Sequence, residues 1–232
     1  MIRIDVRTVV FCTSLVLASA HFLEAQDRSR YRDFQLGSDL LSVAKQAGLA
    51  SSDAKVVHQR PALMQQLEWR PRYLLSGAAI QTDPVREIRF RFYDDKLFRM
   101  VVDYDQNRTE GLIDADMTEM ISAIYGPSSK PTPTRVSTAL APYDPDGGTP
   151  LAEWGDGEYS ITLLRAVYPV TFRMVIASRQ LEKLAQAADA EAVRLDAREA
   201  PQREVARQKK EAEDRRVADE KARLVNKAAF RP

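Results

Sequence analysis

The stretch FRMVV at residues 98–102 recurs as FRMVI at residues 172–176. Both stretches alternate apolar and polar side chains, which is typical of a β-strand with one buried face. Alternation alone would make any two half-buried strands look alike. Here the arginine on the polar face is also the same, and a helical pattern precedes both strands at a similar distance. The repetition therefore predicts that one folded unit occurs twice in the chain.

The first unit is predicted over residues 26–110. An apolar face from Leu40 to Ala47, with Ser38 as N-cap and Gly48 as the stop, predicts a helix. The segment EIRFRFY-DDK-LFRMVVDY alternates on both sides of a turn, which predicts an antiparallel hairpin. Its second strand is expected to point Phe98, Met100, Val102 and Tyr104 inward. The stretch before this hairpin, residues 55–75, fits either a strand or a short helix.

The second unit is predicted over residues 111–178, in the same order. A helix capped at Asp114 or Asp116 and ended at Gly126 is expected to bury Met117, Met120, Ile121 and Ile124. After a loop rich in Pro, Ser and Thr, two alternating strands follow. The predicted fold class is α+β: two tandem repeats, each a helix plus a three-stranded antiparallel sheet, followed by a long charged C-terminal helical tail.

The first 25 residues have the layout of a secretory signal peptide. Arg3 and Arg7 precede an apolar run of about 13 residues, and small residues follow up to Ala20 and Ala25. The run is shorter than the roughly 20 residues that span a bilayer. Cys12 lies inside the run, so we expect no lipoprotein anchor. Cleavage after Ala20 or Ala25 and a periplasmic or secreted location are expected.

The composition changes after residue 178. Residues 179–232 are mostly Ala, Glu, Lys, Arg and Gln, which are strong helix formers. Pro201 is expected to divide this tail into helices over about 179–200 and 202–228. A solvated helix and a coiled-coil arm that forms homo-oligomers both fit the pattern. Acids alternate with bases and the net charge is +1, which argues against binding to nucleic acid.

Two phrases in the predicted units resemble a known family. A helix that opens with LG-S-LL-V and ends at Gly, before a meander whose last strand begins Y-D-D-K-L, resembles the outer-membrane assembly lipoprotein BamE family. Two copies in one exported chain resemble the tandem architecture of β-lactamase inhibitor proteins. The resemblance covers about residues 34–177 and implies an envelope or secreted module that binds proteins. The lipobox cysteine and the inhibitor disulfides are missing, so no site residues are implied.

Residues that could support catalysis are few. Beyond the predicted signal the chain has one histidine, His58, and no cysteine, so a Cys–His pair and a zinc site are not expected. Asp94 and Asp95 are adjacent in a turn, whereas a glycosidase needs carboxyls across a cleft. The segment YDPDGG at 143–148 is typical of a turn. We expect no enzymatic activity and no cofactor.

One acidic segment has calcium-loop spacing. Positions 1, 3, 5, 7 and 12 of that pattern are Asp103, Asp105, Asn107, Thr109 and Asp114. Arg108 occupies position 6, where the loop needs Gly, and a strand precedes the segment. We therefore expect a polar connection between the two units, with calcium as the alternative.

Aromatic and arginine side chains are the candidates for partner binding, because both are favoured at binding hot spots. They are Trp69, Tyr73, Arg89, Arg91, Arg99 and Trp154. The alternatives are core positions for the tryptophans and a solvated face for the arginines. The sequence predicts a non-enzymatic module that binds an envelope protein through its sheet surface. A carboxylate-based hydrolase and a structural protein that oligomerises through its C-terminal helix are the other hypotheses.

Overall fold

The computed structural model describes residues 27–71, 83–131, 146–167, 170–229 and 231. The predicted signal peptide, Tyr73 and most of the Pro-rich loop lie outside the described residues. The elements follow in chain order as β1 (Arg30–Tyr31), β2 (Phe34–Gln35), α1 (Leu40–Ala47), a 3-10 turn (Ser51–Asp53), β3 (Lys55–His58), β4 (Met64–Trp69), β5 (Val85–Tyr93), β6 (Lys96–Tyr104), α2 (Asp114–Tyr125), β7 (Thr149–Gly155), β8 (Tyr159–Ala166), β9 (Thr171–Ser178) and α3 (Arg179–Ala229).

Strands β3 to β9 form one antiparallel sheet in the order β3-β4-β5-β6-β9-β8-β7, and β1 and β2 form a separate hairpin. The fold is therefore α+β, with a long C-terminal helix. The two predicted sheets are joined into one because β6 and β9, the strands that contain FRMVV and FRMVI, pair with each other. Both strands are buried along most of their length, and pairing satisfies backbone groups that would otherwise form two sheet edges.

One face of the sheet is covered by α1, α2 and the β1–β2 hairpin. Apolar residues from these elements and from β4 to β9 form a single core, in which the rings of Phe34 and Phe90 lie 4.6 Å apart. The Tyr125 hydroxyl donates to the carbonyl oxygen of Arg30 at 2.8 Å, which links α2 to the hairpin. We call this side the helix-covered face.

The helix ends differ in detail from the sequence prediction. The N-cap of α1 is Asp39 and not Ser38, because the Asp39 carboxylate accepts the N–H of Ser42 at 2.8 Å. Gly48 ends this helix as predicted, with a φ of 68° that favours glycine. The N-cap of α2 is Ile113, whose N–H binds the Asp116 carboxylate.

The buried side of α2 is narrower than predicted. Met117, Ile121 and Tyr125 are buried, whereas Met120 and Ile124 are exposed, contrary to the prediction. The three buried residues are spaced by four, so they form one line along the helix. The sheet and the β1–β2 hairpin cover only this line of the helix.

A β-bulge changes the orientation of Phe98. Arg91 lies opposite Arg99, but Phe92 lies opposite Leu97, so Phe98 is an extra residue in β6. Leu97 therefore occupies the core position that was predicted for Phe98. Phe98 instead packs with Met64 and with Ala185 of α3.

The C-terminal segment is one helix of 51 residues, so the prediction of two helices is wrong. Proline removes a single backbone donor, and Arg203 bridges the position of Pro201 by binding Asp196 and Glu199, each at 2.8 Å. No helix in the described part of the chain has both the length and the apolar character that a membrane span requires.

Candidate functional site

The sheet face opposite α1 and α2 carries charged side chains, and we call it the charged face. It follows from strand alternation: because Phe90 and Phe92 point into the core, their neighbours in β5 point to the other side. Its charged residues in the three central strands include Arg89, Arg91, Arg99, Asp103 and Arg173. The first part of α3 packs over part of this face.

The centre of the charged face is a buried ion pair. Asp103 and Arg173, which are 1% and 3% exposed, lie directly opposite each other in the β6–β9 ladder. Arg173 donates from Nε to Oδ1 of Asp103 at 2.6 Å and from Nη2 to Oδ2 at 3.3 Å. Arg89 binds the same carboxylate at 3.2 Å. A buried ion pair is stable only while each of its charges keeps its partner.

Two further carboxylates form ion pairs with the remaining arginines. Asp146 is buried and lies 3.1 Å from Arg89, 3.5 Å from Arg91 and 3.8 Å from Arg99. Glu182 of α3 accepts from Nη1 of Arg99 at 2.5 Å. The three arginines predicted to bind a partner are therefore paired with acids of the same chain, so they do not form an open cationic patch.

Sequence reasoning missed these partners because they come from distant segments. Asp146 belongs to the stretch interpreted as a turn, and Glu182 to the tail interpreted as a solvated helix or a coiled-coil arm. One signal was available: Asp103 follows Arg99 by four residues in a strand, which places both on the same face.

The predicted aromatic residues lie in or against the core. Trp154 is 3% exposed, and its Nε1 donates to the carbonyl oxygen of Gly126 at 2.9 Å and to Ser122 Oγ at 3.2 Å. Its side chain is therefore part of the core and fixes the end of α2. Trp69 is half-buried and packs against the same core. Tyr73 lies outside the described residues.

The paired aspartates of the β5–β6 turn bind backbone groups. Asp94 and Asp95 have φ values of 43° and 63°, as a tight two-residue hairpin turn requires. Asp94 accepts the N–H of Leu63 at 2.9 Å, and Asp95 accepts the N–H of Leu40 at 3.1 Å. These carboxylates hold β4 and α1 against the hairpin.

The residues with calcium-loop spacing do not converge. Asp103 lies in the charged face, Asp105 accepts the N–H groups of Asn107 and Arg108, and Asp114 pairs with Arg165. Among the described residues, no group of three or more His, Cys, Asp or Glu side chains could hold a metal ion. The Nε2 atom of His58 lies 3.8 Å from an Asp189 carboxylate oxygen, beyond hydrogen-bonding distance.

A cavity of about 320 Å³ lies between the loop before α2 and the β8–β9 end of the sheet. The Arg165 guanidinium stacks on the Phe172 ring there, 4.1 Å from its centroid. Of the described residues that line the cavity, Glu110 is the one that carries a carboxylate. The described lining of the cavity therefore does not supply the pair of carboxyls that the hydrolase hypothesis needs.

The second half of α3 is the other prominent feature. Ala185, Ala188 and Ala192 are buried in the first half, whereas every residue from 200 to 229 is exposed. Residues 201–229, which we call the distal arm, extend about 44 Å at about 1.5 Å per residue. Charge pairs at helical spacing, such as Arg207 with Glu204 and Glu211 at 2.8 Å, support this helix in water.

Comparison with models of protein families, with curated proteins and with solved structures finds no match to this chain.

Proposed function

We propose that the chain is an exported, non-enzymatic protein-binding module of the bacterial cell envelope, in which the α+β unit holds out the distal arm for a partner. The observation that carries this proposal is the change in α3 at residue 200, from a packed helix to one exposed on all sides. A helix that is exposed on all sides and supported by ion pairs is suited to bridging between proteins. The packing of the first half of α3 on the charged face fixes the point at which the distal arm begins.

The use of the acidic residues supports a binding role over the hydrolase alternative. Asp103 and Asp146 bind arginines, whereas Asp94 and Asp95 bind backbone amides. A catalytic carboxyl pair faces a cleft and keeps room for a substrate. We do not assign the partner surface to Arg89, Arg91 and Arg99, because each of them already pairs with an acid of the same chain.

We also infer that the sheet consists of two copies of one unit, residues 26–110 and 111–178. The strand order β4-β5-β6-β9-β8-β7 supports this inference, because the second half repeats the first in reverse about the β6–β9 contact. At that contact Val101 lies opposite Val175, its counterpart 74 residues later.

Cross-strand neighbours give the duplication further support. In the first half Trp69 lies opposite Ile88, which lies opposite Val102. The second half has the matching row of Trp154, Ile161 and Ile176. This arrangement also agrees with the tandem architecture implied by the resemblance to the BamE and β-lactamase inhibitor protein families, which stays a proposal.

Site-specific photo-crosslinking in cells tests the arm as the binding element. A photoreactive residue at Ala212 or Ala218 in the full chain should form discrete adducts with a protein, because both positions lie on the distal arm. The matched control is a photoreactive residue at Leu41, which is exposed on α1. Adducts from Leu41 but none from the arm would overturn the assignment.

Mass spectrometry of the secreted or periplasmic fraction tests export: the mature chain should begin at His21 or Gln26.

A further inference from the structure

Helix α2 exposes an aligned set of large apolar side chains. Ile113 at its N-cap, Met120 and Ile124 are 61%, 48% and 64% exposed. Their spacing of seven and four residues places them on one side of the helix over about 16 Å. Single exposed apolar residues are ordinary, whereas neighbouring exposed apolar residues form the kind of patch that binds a partner.

Acidic side chains flank this row. Asp116 and Glu119 follow along one side of α2, and Glu110 lies just before the helix. The stretch 110–126 contains no Lys or Arg. We call the row together with these acids the α2 patch; it combines an apolar line with negative charge.

The end of the distal arm has the opposite charge. After Glu220 the helix has no acid, and it carries Lys221, Arg223 and Lys227. Leu224 and Val225 are both exposed, and helical spacing places Ala228 beside them. Residues 221–229, the arm tip, therefore form an amphipathic basic helix that has apolar residues of its own to bury.

The arm tip does not cover the α2 patch of its own chain. All of residues 221–229 are exposed, and α3 is one continuous helix from Arg179 to Ala229. A continuous helix cannot turn back on itself without breaking its backbone hydrogen bonds. A contact between the arm tip and the α2 patch therefore needs two copies of the chain.

We propose that the arm tip of one copy of this protein docks on the α2 patch of a second copy. Leu224 and Val225 would bury against Met120 and Ile124, and the basic residues of the tip would face Glu119. This inference rests on the proposed function of the distal arm as a binding element and names a second copy as its partner. One such contact is small, but two reciprocal contacts in a symmetric dimer reinforce each other through effective concentration.

Sedimentation velocity of the full mature chain tests the proposal. We expect a dimer that forms as concentration rises and that dissociates in high salt, because the contact joins opposite charges at the surface. The patch variant Met120→Ser/Ile124→Ser and the tip variant Lys221→Glu/Arg223→Glu/Lys227→Glu should each weaken dimerisation by at least about tenfold. Leu41→Ser, which removes an equally exposed apolar side chain from α1, should leave dimerisation unchanged. Circular dichroism of each variant checks the fold.

A charge swap adds a result that a folding defect cannot produce. Glu119→Lys alone should weaken self-association, and mixing it with the tip variant should restore a mixed dimer. A chain that is monomeric at every concentration, or variants that associate like the wild type, would overturn the proposal. So would binding of the monomer to phosphatidylglycerol vesicles that the tip variant abolishes, since the tip would then be a lipid-binding element. Arm crosslinks to a different protein from a monomeric chain would preserve the proposed function while removing this inference.

Discussion

The two faces of the sheet are buried by different means. On the helix-covered face, α1 and α2 pack apolar side chains such as Phe90 and Met100 into a single core. On the charged face, arginines of β5, β6 and β9 are matched with Asp103, Asp146 and Glu182. Apolar contacts tolerate small changes in geometry, but buried charges need each partner in place.

The difference shows what strand alternation can and cannot say. Alternation identifies which residues share a face, and here it separated the two faces of β5 correctly. It does not say which face contacts water, because that depends on the segments that cover it. The arginines were predicted to bind a partner, with a solvated face as the alternative, yet Asp103 and Arg173 on this face are almost fully buried.

The charged face should be most sensitive at its central carboxylate. Asp103→Asn keeps the side-chain shape but removes the buried negative charge that binds Arg173 and Arg89, so we expect a loss of about 3–5 kcal/mol in the free energy of unfolding. Asp214→Asn on the distal arm, an exposed acid, should change it by less than about 0.5 kcal/mol. Urea unfolding followed by tryptophan fluorescence measures both. Equal effects from the two substitutions would show that the buried pair has no special role.

The packing of α3 on the charged face should give the second-largest effect on stability. Ala185 is buried between α3 and the sheet beside Met64 and Phe98. Ala185→Leu adds volume there, and we expect it to destabilise the protein by about 1–3 kcal/mol. Ala212→Leu, the same change on the exposed distal arm, should be close to neutral. If thermal unfolding shows no difference between the two variants, α3 is not anchored on the sheet.

The helix-covered face should be sensitive to alkali. Burial raises the pKa of Tyr31, Tyr104 and Tyr125, which all lie on this face. The folded state therefore keeps protons that the unfolded state releases. The contribution of these tyrosines is complete below about pH 10 and is lost as the pH rises above that value.

Tyr125→Phe tests this pH dependence. It removes one titrating hydroxyl and the hydrogen bond to Arg30, so we expect a loss of about 1 kcal/mol at neutral pH. The decline in unfolding free energy between neutral pH and about pH 11 should be shallower in the variant. Urea titrations across this range give the comparison. Parallel pH curves would mean that the Tyr125 proton is not linked to folding.

The smallest effect on global stability should come from Pro201, which lies beyond both faces. Pro201→Ala restores a backbone donor in the middle of α3, so amides near it should exchange with deuterium more slowly. The unfolding free energy of the sheet should change by less than about 0.5 kcal/mol, because the distal arm does not contact it. Hydrogen exchange and urea unfolding measure the two quantities separately. A large change in global stability would show that the folding of the arm is coupled to that of the sheet.

Much of the local structure could be predicted from the sequence. The β5–β6 hairpin, the C-terminal end of α1 at Gly48 and the helical character of the tail follow from alternation, turn residues and helix propensity. The bulge at Phe98 could not be predicted, because both registers place an apolar side chain inward. The exposure of Met120 and Ile124 also depended on how much of α2 the sheet covers.

The candidate site was the least predictable part. Arg89, Arg91 and Arg99 were correctly placed together on one sheet face, but their partners were not foreseen. Trp69 and Trp154 were candidates for partner binding, with core positions as the alternative, and they pack against or within the core. The distal arm was expected to be helical, but only the structure distinguishes its exposed half from the packed half of α3.

The sequence by itself determined the two faces of β5, the turn between β5 and β6, and the repeated phrase at residues 98–102 and 172–176. These features depend on backbone geometry within a few residues, so they can be inferred from neighbouring side chains. The tertiary structure alone decided that the two phrases would pair, that Asp103 would meet Arg173, and where α3 would leave the sheet. Those outcomes depend on segments far apart in the chain, which exclude water only when they come together.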